Sequence, residues 1–199
     1  MMFKVGITGG IGSGKTTVCK IFELLHIPVF YADDAAKELM ISDGSLMEAI
    51  RQNFGSKAYL ANGNLNRKHI ANQVFNSPEK LNILNSLVHP KVFEAMDIWS
   101  QKQKSPYVTK EAALLFESRS YLKNNINILV SSPLELRIKR IMLRDRISNE
   151  KVQERINNQL SEAKKQELAD YIVYNNEVDL LIPQVLKLHR VFLNKAQHT

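Results

Sequence analysis

Near its start the chain reads Gly9-Gly10-Ile11-Gly12-Ser13-Gly14-Lys15-Thr16, which matches the G-x-x-x-x-G-K-[ST] pattern of a phosphate-binding loop. An apolar run that favours a β-strand precedes it, from Phe3 to Thr8, and a helical stretch follows, from Thr16 to Leu25. The glycines allow successive backbone N–H groups to converge on one point, and the N-terminus of the next helix adds its positive end there. This strand–loop–helix context predicts a site for a nucleoside triphosphate.

The composition is typical of a globular protein of moderate size. The chain has 199 residues, 44% of them hydrophobic and 24% charged, which suits one nucleotide-binding core with small insertions. No apolar run approaches the ~20 residues of a membrane span, and the first strand begins so early that we expect no signal peptide. Cys19 is the only cysteine; we interpret it as a packing residue and predict a reducing, cytoplasmic location.

The net charge of +7 is concentrated in one segment. Residues 137–165 carry nine Lys or Arg and four Asp or Glu, and we call this range the basic segment. It lacks the interleaved aromatic residues expected of a platform for single-stranded nucleic acid. The pattern therefore favours contacts with the phosphates of a small molecule.

Strands alternate with helices along most of the chain, which predicts a parallel α/β core. We expect five strands, at Phe3–Thr8, Val29–Tyr31, Tyr107–Ala112, Ile126–Ser131 and Tyr171–Tyr174. An amphipathic helix spanning Val178 to Phe192 should cover the sheet.

From Asp34 to about His89 the sequence predicts helices and no strand. Helical spacing runs from Ser45 to Phe54 and from Asn66 to Phe75, and Ser77-Pro78 reads as the N-cap and first residue of another helix. We expect His89-Pro90 to interrupt that helix, because proline disfavours the helical conformation at the preceding residue. The helix should resume from Lys91 to about Lys104.

The basic segment reads as short, separately capped helices. Ser132-Pro133 should open a helix that runs to about Arg144, and Ser148 and Ser161 are further N-cap candidates. The predicted fold is therefore of the P-loop NTPase type, three-layered, with a five-stranded parallel sheet flanked by helices. We expect a nucleotide-binding core at 1–33, 90–136 and 166–199, a helical acceptor-binding insertion at 34–89, and a lid at 137–165.

A phosphate-binding loop alone is compatible with GTPases, motor ATPases and small-molecule kinases. The chain has no Asn-Lys-x-Asp stretch for guanine recognition and is short for a motor. A helical insertion after the second strand and an arginine-rich segment near the end favour a small kinase, in which the basic segment closes over ATP.

Motifs along nearly the whole chain resemble the dephospho-coenzyme A kinase family. They are Ile7 to Val18 around the loop, Ala32-Asp33, Leu87-Val88-His89-Pro90, Leu114-Leu115-Phe116-Glu117, Arg140, Arg144-Asp145, Arg155 with Gln159, and Ala169-Asp170-Tyr171 leading to Asn175. The resemblance implies transfer of the ATP γ-phosphoryl group to the ribose 3′-hydroxyl of dephospho-coenzyme A. It implies ATP and Mg²⁺ as cofactors.

The resemblance also assigns residue roles. Expected contacts with ATP are Gly10, Gly12, Ser13, Gly14, Lys15, Thr16, Thr17, Arg144 and Asn175, the last near the adenine. Expected contacts with the acceptor are Thr8, Asp33, His89 and Glu117, expected contacts with the metal are Thr16 and Glu111, and expected catalytic residues are Asp33, Lys15 and Arg140. Asp33 would orient the hydroxyl and accept its proton.

Several of these residues have a second interpretation. Asp33 could be only a helix N-cap, and His89 could be a general base, although we favour a residue of the acceptor pocket. Glu117 could be a solvated loop carboxylate, and Arg140 and Arg144 could lie on a solvated helix face.

Three positions depart from the family pattern. Tyr31 replaces the first Asp of Asp-Ala-Asp, Glu111 replaces an Asp on the third strand, and Ala113 replaces a proline. The longer Glu111 side chain leaves open whether it would contact a metal directly or through water.

Two other functions stay open from sequence. One is a kinase acting on a nucleoside or nucleoside monophosphate; the other is a basic, nucleic-acid-binding ATPase or regulator. We expect a small-molecule substrate, with no nucleic acid, membrane or obligate protein partner.

Overall fold

The computed structural model describes residues 2–75 and 77–198. They form two compact units. One contains the chain up to Tyr31 and from Gln103 onward, and the other is Ala32–Lys102. Among the described residues, every helix is too short or too polar to cross a membrane.

The first unit is built on one parallel sheet of five strands in the order β2-β3-β1-β4-β5. The strands are β1 Phe3–Thr8, β2 Val29–Tyr31, β3 Tyr107–Glu111, β4 Ile126–Ser131 and β5 Tyr171–Tyr174. The prediction of a five-stranded parallel sheet is confirmed; β3 ends one residue earlier than predicted. Every residue of β3 and β4 is buried, as expected for central strands with both faces covered.

Helices flank the sheet. Helix α1, Lys15–Leu24, and helix α9, Leu181–Ala196, pack on it and on each other. The rings of Phe22, Tyr107 and Phe192 form the centre of this contact, with edge-on packing of Tyr107 against the two phenylalanines at centroid distances of 6.5 and 5.7 Å. Aromatic pairs in this geometry add to the stability that apolar burial provides.

Helix α9 begins later than predicted. Val178 is 83% exposed and lies outside the helix, because the Asn176 side-chain oxygen accepts from the backbone N–H groups of Val178 and Asp179 and holds a turn there.

The second unit is helical. It contains α2 Ala32–Ser42, α3 Gly44–Phe54, α4 Arg67–Phe75 and α5 Pro78–Gln101. The sequence analysis placed no bounds on α2, although the N-cap interpretation of Asp33 implied a helix after β2. Ser77 caps α5 by accepting from the Lys80 N–H, as predicted.

The predicted break at His89-Pro90 is wrong, since α5 continues through Pro90. Val88, Val92 and Met96 recur at helical spacing and are all buried. Their burial against the neighbouring helices offsets the cost of an internal proline, about 3 kcal/mol. The compact unit consequently extends to Lys102, beyond the boundary expected at residue 89.

The basic segment contains α6 Leu134–Asp145, α7 Asn149–Asn157 and α8 Glu162–Leu168. Ser161 caps α8 by accepting from the Lys164 N–H. Ser148 stands at the N-cap position of α7 without a side-chain capping bond. Ser132 precedes the N-cap of α6, and its hydroxyl instead accepts from Arg140.

Candidate active site

The phosphate-binding loop has the backbone that its glycines allow. Gly12 and Gly14 have φ angles of 79° and 91°, in the left-handed region that other residues rarely adopt. The Ser13 N–H donates to the Gly10 carbonyl at 3.0 Å, and Gly14 is the N-cap residue of α1. The loop therefore presents a turn of backbone followed directly by a helix N-terminus, which favours an anion.

The Lys15 ammonium lies within this loop. Its Nζ donates to the Gly9 carbonyl at 3.0 Å. This contact keeps the cation at the loop, where the motif predicts a partner for phosphate groups.

Two buried hydroxyls at the loop make no hydrogen bond to any described residue. They are Thr8 Oγ1, at the carboxyl end of β1, and Ser13 Oγ. A buried polar group without a partner costs roughly 1–3 kcal/mol, so these atoms fit a site in which a ligand or ordered water supplies the partner.

Glu111 lies at the carboxyl end of β3, in register with Ile7 of β1 and Tyr31 of β2, and is 8% exposed. Its charge also acts on Cys19: burial raises the pKa of that buried thiol, and Glu111 raises it further. Cys19 is therefore held as a neutral thiol, in agreement with a packing role.

The described residues contain no group of three or more His, Cys, Asp or Glu that could hold a metal. Mg²⁺ in nucleotide sites is commonly held by one or two protein oxygens together with phosphates and water. Thr16, exposed at the start of α1, and Glu111 carry oxygens of this type, so their chemistry fits a metal brought by the nucleotide.

Asn175 follows β5 and contacts the loop itself. Its Nδ2 donates to the Ser13 carbonyl at 2.8 Å. Its backbone N–H donates to the Ser131 carbonyl at 2.8 Å. This side chain thus supports the phosphate-binding loop; a contact with adenine stays a prediction.

Arg140 is held within the first unit and is not on a solvated helix face. It donates to Ser132 Oγ at 3.1 Å and to the Asn175 carbonyl at 3.4 Å, and pairs with Glu177 at 3.1 Å. The guanidinium therefore lies beside the same turn that supports the loop.

Arg144 is more exposed and belongs to a cluster at the end of α6. Asp145 pairs with Arg144 at 2.7 Å and with Arg155 at 2.6 Å. The hydrogen bond from Arg144, followed by that from Arg155, lowers the pKa of Asp145 to about 2.

Glu117 is not the solvated loop carboxylate of its second interpretation. Its Oε1 accepts from the Leu160 N–H at 2.9 Å and pairs with Lys165 at 3.3 Å. Lys165 is only 1% exposed. One Glu117 oxygen therefore compensates a buried cation. The other, Oε2, is buried and has no hydrogen-bond partner among the described residues, so a role toward the acceptor stays a prediction.

Two residues that sequence analysis did not select contact the loop. The Ile11 N–H donates to Gln159 and the Ile11 carbonyl accepts from Arg137. Gln159 belongs to a family motif, and that motif could have identified it as a residue of the site. Arg137 stood in a run of cations that gave no indication of burial.

The second unit carries Asp33 and His89. Asp33 follows β2 by two residues and lies inside the first turn of α2, exposed; it is therefore not the N-cap. His89 lies in the middle of α5, with its ring 6.3 Å from that of Phe93. The roles of both toward an acceptor stay predictions.

Tyr31 replaces a family carboxylate and forms a hydrogen bond within the first unit. Its hydroxyl donates to Glu23 at 3.0 Å, and burial together with this bond raises the pKa of the phenol. Tyr31 is therefore neutral and supplies no substitute for the missing charge.

Comparison with known proteins shows similarity along nearly the whole chain. A family model described as "Dephospho-CoA kinase" matches residues 3–179. A dephospho-CoA kinase of Bacteroides fragilis is 34% identical, covering 100% of this chain and 97% of its own length. The solved dephospho-CoA kinase of Campylobacter jejuni is 28% identical with a TM-score of 0.69, covering 98% of this chain and 99% of its own.

A solved protein of Thermus thermophilus is 29% identical, covers 98% of this chain and 97% of its own, and has a TM-score of 0.82. The family match spans the loop, the helical unit and the basic segment together. The chain belongs to the dephospho-coenzyme A kinase family, whose members phosphorylate dephospho-coenzyme A with ATP in the last step of coenzyme A synthesis.

Proposed function

We propose that this chain transfers the γ-phosphoryl group of ATP to the ribose 3′-hydroxyl of dephospho-coenzyme A, giving coenzyme A and ADP. The observation that carries the proposal is the loop with left-handed Gly12 and Gly14 in a chain that matches the family along its length. Phosphoryl transfer depends mainly on positioning and on neutralising charge.

The loop would hold the phosphates. Backbone N–H groups of Gly12, Gly14, Lys15 and Thr16 would turn toward the phosphates, with Gly10 allowing the chain to approach them closely. The N–H groups of Ser13 and Thr17 already donate to the carbonyls of Gly10 and Gly14. Lys15 would exchange its bond to the Gly9 carbonyl for the β- and γ-phosphates. The hydroxyls of Thr8 and Ser13, which lack protein partners among the described residues, would find theirs in the bound substrates or their water.

Mg²⁺ would be held by Thr16 and Glu111. When bound, it supplies positive charge at the phosphates. Glu111 is nearly buried, which orients its carboxylate and favours a role in ordering the site. Whether it reaches the metal directly or through water stays open.

Asp33 would act on the acceptor, orienting the hydroxyl and accepting its proton. His89 and the helical unit would bind the rest of dephospho-coenzyme A. Arg140 would neutralise charge at the transferring group from the basic segment, with Arg144 as a further contact to ATP.

An acceptor panel tests the function. Dephospho-coenzyme A, a nucleoside and a nucleoside monophosphate are each incubated with ATP and Mg²⁺, and ADP formation is followed. We expect transfer to dephospho-coenzyme A at the highest kcat/KM, and loss of turnover in a folded Lys15→Ala protein. Preferred phosphorylation of the nucleoside or the monophosphate would replace the proposal with the rival kinase.

The polynucleotide rival is tested by binding at several salt concentrations. Tight binding that falls steeply with salt, without transfer to dephospho-coenzyme A, would favour it. A cytoplasmic location and the absence of an obligate protein partner stay predictions from sequence.

A further inference from the structure

Two side chains of the basic segment form hydrogen bonds with the backbone of Ile11, at the tip of the phosphate-binding loop. The Ile11 N–H donates to Gln159 Oε1 at 2.9 Å, and the Ile11 carbonyl accepts from Arg137 Nε at 3.0 Å. The two partners are 148 and 126 positions away along the chain. Both polar backbone groups of Ile11 are therefore fixed from outside the loop.

Arg137 is anchored before it reaches the loop. It is 6% exposed and pairs with Glu162 at 3.4 Å. Glu162 also accepts from Ser131 Oγ at 2.6 Å, and Ser131 ends β4. A polar chain thus runs from the sheet through Glu162 and Arg137 to Ile11. Burial lowers the pKa of Arg137, and the charge of Glu162 opposes that shift.

Gly10 and Gly12 leave room for the close approach of Arg137. A Cβ at Gly10 would lie 2.2 Å from the Arg137 guanidinium, and a Cβ at Gly12 would lie 2.7 Å from the Arg137 carbonyl oxygen. Real Cβ contacts are not this short, so side chains at these positions would displace Arg137 from Ile11.

Gln159 is anchored by its neighbours. It lies in the turn after α7, where the next residue, Leu160, donates its N–H to Glu117. Glu117 is fixed in turn by the buried Lys165. Because a backbone N–H can only donate, the Gln159 atom that faces Ile11 must be the amide oxygen.

We propose that Gln159 and Arg137 are positioning residues for the phosphate-binding loop. By holding the N–H and the carbonyl of Ile11 in fixed directions, they orient the adjoining peptide groups that turn toward the nucleotide. Preorganised backbone donors bind an anion more tightly than donors that must reorient on binding. Neither side chain needs to contact the nucleotide, and Gln159 acts only as a hydrogen-bond acceptor.

Two substitutions of Gln159 separate this role from others. Gln159→Leu has a similar size and lacks the acceptor. Gln159→Glu keeps an acceptor, loses the amide donor and adds a negative charge. Gln166→Leu, at an exposed glutamine of α8, is the matched control. The readouts are the Kd of ADP by calorimetry, the KM values of both substrates, and the ¹H–¹⁵N resonance of Ile11.

We expect Gln159→Leu to weaken ADP binding roughly two- to tenfold, the range for one lost hydrogen bond, and to raise KM for ATP more than KM for the acceptor. The Ile11 resonance should move in this variant and return toward its wild-type position in Gln159→Glu. ADP affinity should recover less than the resonance does, because the added carboxylate repels the ADP phosphates. Gln166→Leu should match wild type in every readout.

Unchanged ADP affinity and an unchanged Ile11 resonance in a folded Gln159→Leu protein would overturn the proposal. So would an Ile11 resonance that lies as far from its wild-type position in Gln159→Glu as in Gln159→Leu, because an acceptor at position 159 would then not hold the Ile11 N–H. The inference rests on the proposed nucleotide site but not on the acceptor. A wild-type protein that binds ADP yet leaves dephospho-coenzyme A unmodified would refute the function alone.

Discussion

The Asn175 side-chain nitrogen lies 2.8 Å from the Ser13 carbonyl oxygen, and it occupies the space where a side chain at Gly14 would begin. A Cβ at Gly14 would lie 2.2 Å from that nitrogen. Gly14 is therefore required twice, once for its φ of 91° and once for the approach of Asn175. The turn after β5 and the phosphate-binding loop are thus matched to each other.

Gly14→Ala should consequently cost more than a left-handed alanine alone. We expect a loss of stability above the ~1–2 kcal/mol of a left-handed residue, together with weaker ADP binding. Gly63→Ala is the control, because Gly63 has a φ of 82° and open space around its Cβ position. Chemical denaturation measures both.

The double variant Gly14→Ala with Asn175→Ala tests the contact itself. Removing the Asn175 amide should recover the part of the loss that comes from the clash and leave the backbone part. Gly14→Ala should lower the free energy of unfolding in wild type and in the Asn175→Ala background. An equal loss in the two backgrounds would show that the close approach of Asn175 does not affect stability.

Asp33→Asn should lower kcat by roughly 10²–10⁴, the usual contribution of a general base, with little change in ADP affinity. Asparagine keeps the size and removes the charge. If Asp33 serves only the positive end of α2, stability should fall by about 0.3–1 kcal/mol while kcat stays near wild type. Steady-state kinetics and denaturation on the same protein separate the two roles.

The structure narrows which part of the basic segment can act as a lid. Arg137 and Lys165, at its two ends, are buried, whereas α7 has Val152 as its one buried residue. We expect hydrogen exchange in α7 to slow when an unreactive ATP analogue binds, with smaller changes at the start of α6 and in α8. Equal protection of α7 with and without the analogue would contradict a lid.

The cluster around Asp145 should respond to pH at the acid end. Its pKa is lowered from 3.8 to about 2, so its contribution to stability is complete above the ordinary value and is lost as pH falls through about 2. Carboxyl ¹³C NMR should find the midpoint near that value.

Arg144→Met should raise this midpoint more than Arg155→Met, because the Arg144 hydrogen bond is the larger cause. An ordinary Asp145 midpoint in wild type, or equal midpoints in all three proteins, would show that the cluster does not form in solution.

The sheet was predictable because its signals are local. The apolar runs of β1 and β4 and the loop pattern between β1 and α1 each lie within a short stretch of sequence, and burial on both faces requires such runs. Pro90 shows where local signals end: its cost to a helix is real, and packing of Val88 and Val92 outweighs it.

The site was predictable where it is one continuous motif and less so where it depends on distant partners. Nothing near Glu117 indicates that its partner is Lys165, and nothing near Arg137 indicates Ile11. In sequence these residues look like solvated charges. Their roles arise from the approach of segments that only the folded chain brings together.

The most direct test of the proposed reaction is the position of the new phosphate. Dephospho-coenzyme A is incubated with ATP, Mg²⁺ and the wild-type protein, and the product is examined by ³¹P NMR with proton correlation. We predict a phosphomonoester resonance coupled to the ribose H3′ proton, absent with Lys15→Ala. A product phosphorylated at another hydroxyl, or no new phosphomonoester while ATP is consumed, would contradict the proposed function.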